Sequence, residues 1–192
     1  MKNLKYKIQF YSEWQCGSGL AAGADVDSLA IKDKEGLPFV PGKTMKGLIR
    51  EALETLYDMR GDDKLSLVKL FGNSKDKSNI EKETDEVSFM EKGDTFFTNA
   101  SLDSATYSKI KENHAAKYLY RSIASTSIED NGIAEQHSLR KVETVVPVTL
   151  HGEIKCIPDG LVDEVEKALH FIKRIGSGRN RGLGRCNIEK EA

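Results

Sequence analysis

The sequence predicts an α+β fold of the ferredoxin-like or RRM-like kind, a palm of βαββαβ order with inserted loops and a hairpin arm. Three observations predict it. Two segments place apolar residues at helical spacing, others alternate apolar with polar residues, and their order along the chain is strand, helix, strand, strand, helix, strand. The 192 residues, 39% hydrophobic and 31% charged, predict a single unit over 1–192, large enough to bury a core without a disulfide or metal staple.

Leu4, Tyr6, Ile8 and Phe10 alternate with Lys5, Lys7 and Gln9, the period of a strand with one buried face, so a strand is predicted over 3–14. The following loop, CGSGLAAGADVDSLAIKDKEG, carries four glycines and three aspartates and is long for a simple connection; long ordered loops usually carry function. Pro41 and Thr44 open a helix over about 43–59, with Met45, Leu48, Ile49, Ala52, Leu53 and Leu56 as its apolar stripe. LSLVKLFG at 65–72 predicts a short helix inside a charged insertion over about 60–94, whose Asn73–Asp85 part reads as solvated or mobile.

Alternation returns at Phe96, Thr98, Ala100 and Leu102, and again at Val146, Val148, Leu150, Ile154 and Cys156, predicting two more strands. Between them, 121–140 reads as a protruding arm. Asn131-Gly132 is a hairpin signal, and its flanks hold too few apolar residues for core burial. Val162, Val165, Leu169 and Ile172 mark the second helix, with Asp163, Glu164 and Glu166 early and Lys173 and Arg174 late, as the helix dipole favours. A short last strand points Ile188 inward.

Charge names no partner: 29 Lys+Arg balance 30 Asp+Glu to a net −1, so attraction to nucleic acid must be local. Cys16, Cys156 and Cys186 are far apart and matched to no histidine at ligand spacing, which argues against zinc; they fit small apolar sites. The alternating first residues lack the apolar run of a secretion signal, and no run approaches bilayer thickness, so a soluble cytoplasmic protein with no membrane partner is expected. His114, His137, His151 and His170 share no consistent role. Trp14 and Tyr6 could stack on bases or pack in the core.

PGKT at 41–44 is not a nucleotide-binding P-loop, because five residues separate Gly36 from Gly42 and Pro41 removes a backbone donor. Lys43, Lys46 and Arg50 nonetheless share one helix face near its N-terminus, a geometry for phosphate or a solvated basic face. IGSGRNRGLGR at 175–185 has four glycines and three arginines. It follows a helix and leads into a strand, the reverse of the dinucleotide fingerprint. Glycines there let a backbone approach a polyanion while arginines bind phosphates or stack on bases, whereas a plain tight turn accounts for only one or two of them.

DSLAIKDKEGLPFVPGKTMKGLIRE (27–51), LFGNSKDK (70–77), FFTNASLD (96–103), LRKVETVVPVTLHGEI (139–154) and IGSGRNRGLGR occur in the order found in the RAMP superfamily. The chain resembles, in particular, the repeating backbone subunit of type III CRISPR effector complexes. That resemblance implies an RRM-like palm binding CRISPR guide RNA and a thumb, the arm at 121–140, that kinks the guide–target duplex. It further implies partner effector subunits and side-by-side association into a filament. Lys43, Lys46, Arg50, Arg179 and Arg181 would hold guide phosphates, with Thr44, Gly176, Ser177, Gly178, Gly182 and Arg185 completing the surface.

The resemblance also implies cleavage of target RNA by an aspartate in the loop before the PGKT segment, here Asp27, with Asp25 and Asp33 nearby. A lone carboxylate can hold a divalent metal, Mg2+, or align a ribose 2′-hydroxyl for in-line attack, leaving a 2′,3′-cyclic phosphate. The alternatives are a non-catalytic RNA-binding subunit and a repeat-RNA processing endoribonuclease, which in that superfamily often uses an early histidine; the first histidine here is His114.

Overall fold

The computed structural model describes residues 1–23, 25–72 and 93–191. The chain runs β1 (Lys2–Phe10), α1 (Gly42–Arg60), α2 (Leu65–Phe71), β2 (Phe96–Phe97), α3 (Ser104–Glu112), β3 (Tyr120–Ser125), β4 (Arg140–Val145), β5 (Thr149–Ile157), α4 (Val162–Phe171) and β6 (Cys186–Lys190). Alternation in β1 sends Leu4, Tyr6, Ile8 and Phe10 inward, which makes β1 a strand covered on one face only. It pairs antiparallel with β5 on one side and β6 on the other, and β2 joins the outer edge of β5. The order β2-β5-β1-β6, with α1 and α4 as the crossover helices, is that of a ferredoxin-like palm.

Helix α1 starts at Gly42 because Pro41 fixes an extended backbone before it, and the Gly42 N–H donates to Asn99 Oδ1 at 2.9 Å in place of a local cap. Gly61 in the left-handed region ends it. Met45, Ile49, Ala52, Leu53 and Tyr57 face one apolar core shared with the sheet and with Val165, Ala168 and Leu169 of α4. Each large side chain so buried stabilises by about 1.5–3 kcal/mol. Arg60 Nη1 lies 2.9 Å from Glu164 Oε2, joining the end of α1 to the first turn of α4.

Several elements differ from the sequence reading. The strand expected near 96–102 shrinks to Phe96–Phe97 because Asn99 turns away to cap α1; Ala100 and Ser101 regain isolated pairing with Val40 and His151. Helix α3 has no fully buried residue and only Tyr107 and Ile110 turn partway onto the core, so its clearest signal is Asp103, whose carboxylate accepts the N–H groups of Ala105 and Thr106. The strand expected from Val146 begins at Thr149, because Val145 completes β4 and is fully buried against Trp14. Trp14 and Tyr6 are core residues, Trp14 stacking on Phe10 at 4.5 Å. Burial pushes the thiols of Cys16 and Cys186 up to about 12, whereas Cys156 is exposed: it sits at a bulge opposite Asn3 with φ of 58°. Asn73–Asp85 lies outside the described residues. Among the described residues no helix is long and apolar enough to cross a membrane.

Candidate nucleic-acid interface

The loop after α4 folds back on itself. Gly176, Gly178, Gly182 and Gly184 all have positive φ, and the short 3-10 turn Arg179–Arg181 lies between two of them. A β-carbon on Gly176 would sit 2.2 Å from the Gln15 carbonyl oxygen, and one on Gly184 would sit 1.9 Å from that of Ile175. The loop's own folding thus favours glycine at all four positions and demands it at Gly176 and Gly184, a fuller structural account than the sequence reading gave them. The cations are what the fold leaves over. Lys173, Arg174, Arg179, Arg181 and Arg185 are all exposed. Arg174 donates to the carbonyl of Arg179, closing the loop, and the Arg185 guanidinium lies over the ring of Tyr11.

This loop borders an open cleft of about 940 Å³ against α1. Leu48, Glu51, Ala52 and Thr55 form the helix wall, while Gly176, Ser177, Gly178, Arg179 and Arg181 form part of the opposite rim. Arg179 approaches Glu51 at 3.9 Å, and Lys173, Arg174, Arg181 and Arg185 make no ion pair with the described residues. At about 100° per residue, the row of Lys43, Lys46 and Arg50 falls roughly 150° round the helix from that wall. The arginine loop and the lysine row therefore do not share a face: loop and helix meet on the other flank of α1, with Thr44 on the cleft's side. Arg50 Nη2 donates to the carbonyls of Phe71 and Gly72 at 3.2 and 3.4 Å and its guanidinium stacks on the Phe71 ring, so it fastens α2.

The loop joins Asp27 instead, through the residues after β1. Gly184 N–H donates to the Glu13 carbonyl at 2.7 Å and Ser177 N–H to the Gln15 carbonyl at 2.8 Å. The side chain of Gln15, 2% exposed, donates from Nε2 to the carbonyl and hydroxyl oxygens of Ser28 at 3.2 and 2.9 Å. Asp27 precedes Ser28 and is exposed. Its N–H donates to the Lys141 carbonyl at 2.9 Å, and its Oδ2 accepts the Lys141 N–H at 2.7 Å. Asp27 therefore rides on β4 at the outer end of the β3–β4 ladder, where Lys141 pairs with Ala124.

Glu143 fastens the same loop, accepting from Ala30 N–H at 3.1 Å and pairing with Lys32 at 2.8 Å, while the Tyr120 hydroxyl donates to the Gly36 carbonyl. Desolvation, then the charges of Glu143 and Asp33, raises the Tyr120 phenol above its ordinary range. Sequence reading missed Gln15 and Glu143. A glutamine between Trp14 and Cys16 is a polar residue in an apolar stretch, but nothing in the sequence names its partner. Beyond Asp27 and its neighbours the hairpin is largely exposed, with the Ile133 N–H accepted by the Asn131 side chain at the tip turn.

A family profile described as the RAMP superfamily matches residues 7–187. The chain is 29% identical over 208 residues to the CRISPR system Cms endoribonuclease Csm3 of Streptococcus thermophilus, covering 96% of this chain and 88% of that protein. Among solved structures it resembles a chain of the type III-B Cmr-beta complex bound to cognate target RNA, with a TM-score of 0.69 at 10% identity over 99% and 97% of the two chains. A chain of the same complex in its apo state matches with a TM-score of 0.67 at 11% identity, over 98% and 96%.

Proposed function

This chain belongs to the RAMP superfamily, and from that premise we propose that it is a guide-RNA-binding backbone subunit of a type III CRISPR effector complex that cleaves target RNA. The observation that carries the reading is the join between two features of different chemistry. A loop of five exposed cations and a loop bearing an exposed carboxylate are both hydrogen-bonded to residues 13–15. Arg179, Arg181 and Arg185, with the backbone of Gly176, Ser177, Gly178 and Gly182, hold phosphates of the guide. Lys43, Thr44 and Lys46 serve a neighbouring stretch of strand at the N-terminus of α1, and Arg50 serves the fold. The β3–β4 hairpin is the thumb, placed against the duplex by its root.

Asp27 acts on the target. Lys141 N–H fixes its Oδ2, and Oδ1 takes no hydrogen bond from the described residues. That oxygen accepts the hydrogen bond of a ribose 2′-hydroxyl and aligns it for in-line attack: the 2′-oxygen bonds to phosphorus as its proton passes to water, the bond to the 5′-oxygen breaks, and the leaving oxygen takes a proton from water. The products are a 2′,3′-cyclic phosphate and a 5′-hydroxyl. No group of three or more His, Cys, Asp or Glu side chains gathers as a metal cage among the described residues. A single carboxylate suits Mg2+, which keeps its waters and takes phosphate oxygens from RNA. Bound at Asp27, such an ion would neutralise charge on the reacting phosphate. Partner effector subunits, side-by-side copies forming a filament and a cytoplasmic setting belong to the same reading.

The test is to give the assembled complex guide and matching RNA in magnesium. Asp27→Ala should abolish cutting and spare target binding. Normal cutting by the variant overturns the assignment of Asp27, and no cutting by the wild type leaves a subunit that only binds.

A further inference from the structure

Resting on that reading, we infer that Gln15 is a positioning residue that couples occupancy of the carboxyl-terminal arginine loop to the placement of Asp27. Both of its ends are committed. Its carbonyl accepts the Ser177 N–H at 2.8 Å, and its buried Nε2 donates to the Ser28 carbonyl and hydroxyl at 3.2 and 2.9 Å. Gly176 packs so closely on the same carbonyl that no β-carbon fits between them. Ser28 in turn accepts the Glu143 N–H at 2.9 Å and adjoins Asp27, whose backbone and carboxylate are both bonded to Lys141. One residue thus stands between the phosphate-binding loop and the carboxylate, with hydrogen bonds in both directions. RNA that orders residues 175–185 orders residues 25–30 through it.

Two variants break the link differently. Gln15→Met keeps the size and apolar burial and loses the Nε2 donor, while Ser28→Ala removes only the hydroxyl acceptor and keeps the fold if the first variant fails to form. Hydrogen exchange is measured on the full chain, free and loaded with guide RNA, at peptides covering 25–30 and 175–185, alongside single-turnover cleavage at saturating target. In the wild type RNA slows exchange in both peptides. In each variant protection of 175–185 persists, while protection of 25–30 and the cleavage rate both fall by about five- to tenfold, the effect of one buried hydrogen bond. Guide affinity stays within about twofold, and the double variant is no worse than the poorer single one.

Wild-type protection at 25–30 in Gln15→Met, or in Ser28→Ala where the first does not fold, overturns the inference. So does a wild type in which RNA protects 175–185 alone. Coupled protection without any wild-type cleavage supports the link and sinks the nuclease assignment. Absence of protection at 175–185 in the wild type removes the RNA-binding reading and this inference with it.

Discussion

The carbonyl oxygen of Gln15 accepts the backbone N–H of Ser177 at 2.8 Å, which makes the segment leaving β1 the fixed edge on which the carboxyl-terminal loop is built. Gly184 adds a second bond to Glu13, two residues earlier. The palm thus sets the course of the loop before any ligand arrives, and RNA bound to its arginines tightens it further.

Gly184→Ala should be far more damaging than Gly182→Ala. Both positions have positive φ, which costs an alanine about 1–2 kcal/mol. At Gly184 the new β-carbon would also collide with the Ile175 carbonyl, whereas at Gly182 nothing lies within 4 Å. Thermal denaturation checks the ranking.

Arg179→Ala and Arg181→Ala should each weaken RNA binding and flatten its dependence on salt by about 0.7 in log slope, the value for one phosphate contact on a single strand. Glu51→Gln should act oppositely, raising affinity by up to about fivefold, because it frees Arg179 from an exposed ion pair. Filter binding across a salt series measures both.

Arg50→Ala should leave that salt slope unchanged and lower stability by about 1–3 kcal/mol, since the guanidinium bonds two carbonyls at the end of α2. A reduced slope would return Arg50 to the RNA surface.

Glu164→Gln should cost about 0.5–1 kcal/mol at pH 7. The hydrogen bond from Lys167, then that from Arg60, holds the Glu164 carboxyl below its usual range. Its stabilisation is full above the unfolded-state value, about 4.3, and is lost as pH falls through the lower folded value. The gap between wild type and variant should therefore close in acid, as melts from pH 7 to pH 3 would record.

The palm was legible because its elements alternate or repeat in register with a single core: Leu4, Tyr6, Ile8 and Phe10 in β1, Met45, Ile49 and Leu53 in α1, Val165 and Leu169 in α4. Helix α3 was not, because Tyr107 and Ile110 are its only inward apolar pair, too short a repeat to mark a helix beyond its cap. Sequence also placed Lys43, Lys46 and Arg50 on one face and recognised the arginine loop. It could not say which flank of α1 the loop would meet, since helical spacing orders residues round an axis without naming their tertiary neighbours. The same limit hid Gln15, whose role lies in contacts with residues 13 and 162 positions away.

Photocrosslinking of guide and target RNA in the assembled complex, with the attachment sites read by mass spectrometry, tests the account most directly. Guide crosslinks concentrated at residues 173–185, lost when Arg179 and Arg181 are both replaced by alanine, and target crosslinks at residues 25–30 are the predicted result. Crosslinks confined to α3 or the exposed edge of β6, with both loops bare, would contradict it.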